Sequence, residues 1–146
     1  MARVFSIEDG NIAKKPIITS QLRTYTDLDL TFAKKNNGDV FKKTDAASVK
    51  QAVKNLLLTN FTEKPFNPYF GGDLNRFLFQ LDTEFDEDDI EEAVAQAISA
   101  YEPRAILLRV NANIRPDNNS VDVTIVFKVT STEQPVELTV TISRLR

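Results

Sequence analysis

Few side chains of this 146-residue chain are suited to catalysis or metal binding, because the sequence contains no histidine and no cysteine. Thiol catalysis, disulfide frameworks, thiolate zinc sites and histidine-based triads are therefore excluded. The carboxylates concentrate in residues 84–92, of which seven are acidic. Alternate residues from 82 to 88 are acidic, as in a calcium loop, but Glu87 stands where such a loop requires glycine. We expect no metal site and interpret the acidic run as a helix N-terminus, where the macrodipole favours acidic side chains.

The segment 101–104, with the residue order Tyr-Glu-Pro-Arg, lies where a helix is predicted to pass into a strand. If the strand starts at Arg104, this residue shares a face with Ile106 and Leu108, and its guanidinium points toward the apolar layer. A buried arginine needs partners, and Glu102 is the nearest carboxylate. Two interpretations remain open: an internal clamp at the corner, or a guanidinium that receives the backbone or a carboxylate of a partner.

The elements that would position these side chains follow from the spacing of apolar residues. Residues 1–24 show no sustained period, and we interpret them as an extended N-terminal arm before a single domain, residues 25–146. A turn signal at residues 36–39 predicts a short hairpin. A helix capped by Thr44 or Asp45 is predicted to follow, because apolar residues then recur at helical spacing.

Two further helices are predicted between this first helix and Pro103. Residues 59–72 contain two prolines and four aromatic residues, which indicates a loop packed against the rest of the protein. Asp73 is expected to cap a short helix after the loop. The acidic run opens the third helix, which ends before Pro103.

The last third of the chain alternates apolar and polar residues, which predicts three strands of an antiparallel meander. The apolar sets expected to face the core are Ile106, Leu108, Val110, Ala112 and Ile114, then Val121, Val123, Ile125, Phe127 and Val129, and finally Val136, Leu138, Val140 and Ile142. Because helices precede strands, the predicted fold class is α+β, with about three helices packed on a small antiparallel sheet of three strands or slightly more. The other face of the sheet is expected to be exposed to solvent.

Composition argues against nucleic acid and membranes as partners. Lysine pairs lie near aromatic residues in the first half of the chain, but their charge is too dispersed to indicate nucleic-acid binding. The longest unbroken apolar run, residues 105–108, is far below the roughly 20 residues that span a bilayer. Gly71 and Gly72 belong to no phosphate-binding glycine pattern. We therefore expect no nucleic acid and no membrane as partners, and we interpret Gly71 and Gly72 as a turn.

Three motifs occur in order along residues 25–146. They are Leu-Leu-Leu-Thr at 56–59, Glu-Lys-Pro-Phe-Asn-Pro at 63–68 with Phe-Gly at 70–71, and the segment 101–104 before a strand. Together they resemble the baseplate wedge proteins that initiate the sheath in contractile phage tails, with relatives in type VI secretion baseplates. Any one motif is common, and their order makes the resemblance specific.

The resemblance implies a structural virion protein of the tail baseplate that has no cofactor and resides in the host cytoplasm during assembly. Its sheet would imitate the interlocking domain of the sheath protein, so that strands could add to its outer strand. The implied partners are other baseplate wedge proteins, tail tube initiator proteins and the first ring of sheath protein. The partner interface is predicted at Glu63, Lys64, Glu102, Pro103 and Arg104, and at Val136, Leu138, Val140 and Ile142 of the outer strand.

Members of this family have also carried a lysozyme label, which makes a peptidoglycan hydrolase the alternative function. Glycan cleavage needs two carboxylates about 5 to 9.5 Å apart, one of them with a raised pKa. Glu63 and Glu102 are the candidate pair, but each stands near a basic residue that would lower a carboxylate pKa. The chain also lacks tryptophan for stacking on a sugar. We therefore favour a structural protein without catalytic residues.

Overall fold

The structure is a computed structural model that describes residues 25–79, 86–132 and 134–144. The predicted N-terminal arm, residues 1–24, lies outside the described residues. In the described part of the chain the fold class is α+β, as predicted, with helices first and the larger sheet last.

The predicted hairpin is confirmed, with strands shorter than the alternating pattern. β1 (Thr26–Leu28) pairs antiparallel with β2 (Lys42–Thr44), and these two strands form a small separate sheet. The hairpin is fixed to the next helix by Gln51, whose side-chain amide donates to the Leu28 carbonyl at 2.7 Å. Gln51 is a buried polar residue, so this bond satisfies a group that would otherwise destabilise the fold.

Two α-helices form in the described residues, α1 (Asp45–Leu58) and α2 (Glu87–Tyr101). Each buries one apolar stripe at helical spacing, Val49, Val53, Leu56 and Leu57 in α1, and Ile90, Val94, Ala97 and Ile98 in α2. The acidic run begins α2 as expected, because Asp86 and Asp89 form a capping box.

The helix predicted after Asp73 is a five-residue 3-10 helix, Leu74–Leu78, so the expectation of about three helices is only roughly met. Asp73 does not cap it. This residue adopts a left-handed conformation (φ 48°), and its carboxylate is the acceptor for the Phe61 N–H at 3.5 Å.

The main sheet is the predicted antiparallel meander, β3 (Ala105–Arg115), β4 (Ser120–Val129) and β5 (Pro135–Ser143). The predicted inward residues of β4, Val121, Val123, Ile125, Phe127 and Val129, are all buried. With α1 and α2 on this face they form the core of the protein.

The predicted inward face of β3 is wrong at its start. Ile106 and Leu108 are 50% and 57% exposed, whereas Ala105 is buried and Leu107 partly buried. The pairing register shifts between Leu107 and Arg109, so Leu108 is the extra residue of a β-bulge. A bulge reverses the alternation of faces, which is why the inward set changes from odd to even residues along β3.

The loop between α1 and the 3-10 helix is less packed than predicted. Phe66 and Tyr69 are largely exposed, and only Phe70 of the aromatic residues in this loop packs against the core. The backbone of the loop is nevertheless well bonded, for example from the Thr62 N–H to the Pro68 carbonyl at 2.7 Å. Hydrogen bonds, more than buried rings, hold the loop in place. None of the described helices is both long enough and apolar enough to span a bilayer.

Candidate functional site

The corner, residues 101–104, joins the end of α2 to β3 and holds one bidentate ion pair. Arg104 Nε donates to Glu102 Oε1 at 2.5 Å, and its Nη2 donates to Oε2 at 2.6 Å. The Glu102 side chain is 9% exposed and that of Arg104 is 33% exposed. The hydrogen bonds that Arg104 donates to Glu102 raise the pKa of Arg104 above its usual value. Glu102 is thus an internal anchor that fixes a partly exposed guanidinium.

The orientation of Arg104 differs from the one predicted. Because of the bulge, the face that it shares with Ile106 is partly solvent-exposed, so the guanidinium does not enter the apolar layer. It lies 5.3 Å from the centre of the Tyr25 ring, within the range of a cation–π contact. The Arg104 carbonyl accepts from the backbone N–H of Thr130 at 3.0 Å, which ties the corner to the end of β4.

Tyr101 brings the loop motif and the corner together. Its hydroxyl donates to the Tyr69 carbonyl at 2.8 Å, and its ring packs edge-to-face on Phe70 with centroids 5.0 Å apart. Lys64 Nζ lies 3.7 Å from the centre of the Phe70 ring. Two segments that are distant in sequence therefore meet through one chain of contacts, from Lys64 to the corner.

Glu63 does not pair with Lys64, as the sequence suggested, but with Asn60. Its two carboxylate oxygens accept from the Asn60 backbone N–H at 2.9 Å and from the Asn60 side-chain amide at 2.7 Å. These two hydrogen bonds lower the pKa of Glu63 from 4.5, and the bond from the Asn60 backbone has the larger effect. A general acid for glycan cleavage needs the opposite shift.

The two outer edges of the main sheet differ. On the β3 side, the N–H of Ala112 donates to Glu91 Oε1 at 2.9 Å, and that of Ile114 donates to Glu87 Oε1 at 3.1 Å. Carboxylates of α2 therefore occupy this edge. Along β5, the described residues form no backbone hydrogen bond outward, away from β4. We call this open side of Pro135–Ser143 the β5 edge.

The register identifies the residues that form the β5 edge. The N–H of Ala112 points away from β4, so its opposite residue, Val123, directs its backbone groups toward β5. Val140 lies opposite Val123 and is bonded to it, whereas the alternate residues Thr139 and Thr141 direct N–H and C=O outward. The open backbone groups are therefore those of the odd-numbered residues, including Glu137, Thr139 and Thr141.

The outer-strand residues predicted for the interface lie between these open positions. Leu138, Val140 and Ile142 are 5%, 3% and 7% exposed, and Val136 is partly buried against the core. Their side chains pack into the core, so the predicted interface at β5 would consist of outward backbone groups.

Several residues of these sites were missed by the sequence reasoning. Asn60 bonds to Glu63, and the Tyr69 carbonyl accepts from Tyr101. Both contacts depend on the path of the loop, which no local sequence pattern indicates. Glu87 and Glu91 carried a usable signal, because their spacing of four residues places both on one face of α2. The exposed side chains of Phe66 and Tyr69 add an aromatic surface beside Lys64.

Comparison with known proteins gives a consistent family. The family model described as baseplate wedge protein gp25 matches residues 43–134, which run from β2 to the turn before β5. The chain is 30% identical over 115 residues to baseplate wedge protein gp25 of Enterobacteria phage T4, covering 79% of this chain and 87% of that protein.

Solved structures share the fold at lower identity. A putative tail lysozyme from Geobacter sulfurreducens has a TM-score of 0.58 at 24% identity, over 67% of this chain and 89% of that one. A chain of the anti-feeding prophage baseplate has a TM-score of 0.57 at 16% identity, over 81% and 84%. A chain of the postcontracted pyocin R2 baseplate has a TM-score of 0.51 at 18% identity, over 82% and 99%.

Proposed function

The chain belongs to the gp25 family of baseplate wedge proteins, and on that premise we propose that it joins the wedge to the central tube and initiates the sheath. As a family member it is a structural component of a phage tail baseplate, and its partners include other baseplate proteins. The proposed further partners are tail tube initiator proteins and the first ring of sheath protein. Assembly would take place in the host cytoplasm.

The observation that carries the proposal is the difference between the two edges of the main sheet. Unpaired strand edges promote aggregation, and proteins commonly block them. Here Glu87 and Glu91 block the β3 edge, while the β5 edge stays open along the backbone of Glu137, Thr139 and Thr141. One open edge opposite a blocked one fits strand addition by a partner.

The corner and the loop form the second part of the proposal, the joint with other wedge components. Pro103 and Lys64 are exposed, and Arg104 is one-third exposed while held in a fixed orientation by Glu102. Exposed Phe66 and Tyr69 supply aromatic contact area on the same loop as Lys64. Aromatic residues and arginine are the side chains that most often dominate the energy of protein interfaces.

The hydrolase alternative is not favoured. Both carboxylate oxygens of Glu102 are bound by Arg104, and the pKa of Glu63 is lowered. The relative that is 30% identical is a baseplate wedge protein, and the lysozyme label belongs to a structure that shares only the fold.

Strand addition can be tested with Thr139→Pro, which removes one outward N–H without removing a bond to β4. Proline is tolerated on strand edges whose N–H faces away from the sheet, so the variant is expected to fold. We expect tails assembled with this variant to carry baseplates without sheath, as seen by negative-stain electron microscopy.

The matched control is Thr139→Val, which keeps the N–H and a β-branched side chain, and which should give sheathed tails. Thermal unfolding of both purified variants checks that the fold is retained. Normal sheath on Thr139→Pro baseplates would refute addition at the β5 edge.

A further inference from the structure

A groove with a volume of 420 Å³ lies beside the β5 edge, between the hairpin, α1 and β5. Leu138 and Thr139 contribute one wall, and Gln51 and Leu30 contribute others. Since Leu138 points to the core face, the groove lies on the side of the sheet covered by α1. A strand added at the β5 edge would direct alternate side chains into this groove.

The groove has more positive than negative charge. Its charged lining consists of Lys43, Lys50, Lys54 and Asp29. Lys43 is neutralised, because its Nζ lies 3.3 Å from Asp29 Oδ1. Lys50 and Lys54 are exposed and form no ion pair with any described residue. Two free positive charges therefore stand one helical turn apart beside the open edge.

The spacing of these lysines fits an extended strand. Residues four apart in a helix are separated by about 6 Å along its axis. Residues two apart in a strand are separated by about 6.8 Å and lie on the same face. Two carboxylates at alternate positions of a strand that runs along α1 would therefore match the spacing of Lys50 and Lys54.

We propose that the strand received at the β5 edge is acidic, with two carboxylates at alternate positions that pair with Lys50 and Lys54. This inference rests on the proposed strand addition and adds the chemistry of the partner. The backbone of β5 supplies affinity for any extended chain, and the two lysines select among chains by charge.

The test uses fluorescein-labelled ten-residue peptides of alternating threonine and valine. One carries two glutamates at alternate positions, one two glutamines, and one two lysines, and binding to the full chain is measured by fluorescence anisotropy. We expect the acidic peptide to bind at least about tenfold more tightly than the lysine peptide at low salt, and the difference to shrink at high salt.

Charge reversal locates the effect. Lys50→Glu combined with Lys54→Glu should reverse the preference toward the lysine peptide. The matched control, Lys34→Glu combined with Lys35→Glu, changes the net charge equally but lies at the hairpin turn outside the groove, and should keep the acidic preference. Circular dichroism and thermal unfolding check that both variants are folded.

The outcomes separate this inference from the proposed function. Equal binding of all three peptides, or a preference that charge reversal at Lys50 and Lys54 leaves unchanged, would overturn the acidic strand and leave strand addition standing. Failure of every peptide to bind, up to millimolar concentration, would count against strand addition itself, and the acidic strand would fall with it.

Discussion

Arg104 illustrates how one side chain can serve both the interior and an interface. Its two hydrogen bonds to Glu102 fix the guanidinium, yet one-third of the side chain remains exposed. An internal clamp and a partner contact are therefore compatible in geometry, and variants of the two residues can separate them.

We predict that Arg104→Ala leaves the chain soluble but impairs wedge assembly, measured by pull-down of the tagged protein co-expressed with its neighbouring tail genes. Loss of the partner of a nearly buried carboxylate should also lower the free energy of unfolding by about 2 kcal/mol, because the partial exposure of Arg104 reduces the penalty seen for fully buried pairs. Urea unfolding measures this change.

The double variant Arg104→Ala with Glu102→Gln decides between the two roles. Because it removes the unpaired charge, it should recover part of the lost stability. If Arg104 contacts a partner, the double variant still fails to retain the wedge proteins. If the double variant recovers assembly together with stability, Arg104 acts only as an internal clamp. If Arg104→Ala alone assembles normally, Arg104 is not part of the interface.

Glu63 gives a prediction about pH. Its pKa is below 4.5 because of the two bonds from Asn60, so its contribution to loop stability is present above pH 4.5 and is lost as the pH falls through the folded-state pKa. Asn60→Ala removes the side-chain bond and keeps the backbone bond. We expect the pKa of Glu63 to rise part of the way toward 4.5, as measured by NMR titration.

Lys64→Ala is the control for this titration. Lys64 lies over the Phe70 ring and is not among the causes of the Glu63 shift, so its removal should leave the titration of Glu63 unchanged. If the pKa of Glu63 rises in Lys64→Ala and not in Asn60→Ala, the neighbouring lysine sets this pKa and the hydrogen bonds from Asn60 do not.

The loop between α1 and the 3-10 helix depends on Gly71. Its φ is +130°, and a Cβ at this position would lie 2.2 Å from the Thr59 carbonyl oxygen, which is backbone and has little room to move. We expect Gly71→Ala to lower the free energy of unfolding by about 3 kcal/mol or more, through clash and strain together. Urea unfolding measures it.

Gly38 in the hairpin turn provides the comparison. It also has a positive φ, +88°, but the nearest atom to an added Cβ would be a Lys34 side-chain carbon at 3.8 Å. Gly38→Ala should therefore cost only about 1 kcal/mol, from backbone strain alone. If the two variants lower the free energy of unfolding equally, the close approach of residue 71 to the Thr59 carbonyl does not contribute to the effect.

The elements differ in how far local sequence determines them. Both α-helices and β4 follow from periodicity, since their buried stripes are uninterrupted. The position of β3 could be predicted, but the face that it turns to the core could not, because the alternating residues before Leu108 do not indicate the bulge. The helix after Asp73 is shorter than its apolar spacing predicts, and the left-handed conformation of Asp73, which replaces the expected cap, depends on the path of the preceding loop.

The sites show the same division. The corner motif and the Glu102–Arg104 pair could be anticipated, because the partners are two residues apart. The role of Glu87 and Glu91 could be anticipated only in part. Their spacing of four residues places both on one face of α2. Which backbone groups that face meets depends on contacts with residues 21 and 27 positions further along the chain. Blocking of one sheet edge is a property of tertiary structure.

In the molecule as a whole, the two proposed surfaces use the same sheet in different ways. β3 connects to the corner, and carboxylates of α2 bond to its outer edge, while β5 is supported by core residues and has no outward backbone bond to any described residue. If strands add as proposed, this difference between the edges would limit addition to the β5 side and give an assembly a single direction of growth.

The most direct measurement is residue-resolved amide hydrogen exchange of β5 in the isolated protein and in baseplates that carry the first sheath ring. We predict that the amides of Thr139 and Thr141 exchange rapidly in the isolated protein and become protected once the sheath ring has formed. The amides of Ala112 and Ile114, already bonded to Glu91 and Glu87, should be protected in both states. Rapid exchange of Thr139 and Thr141 in fully sheathed baseplates would contradict strand addition at the β5 edge.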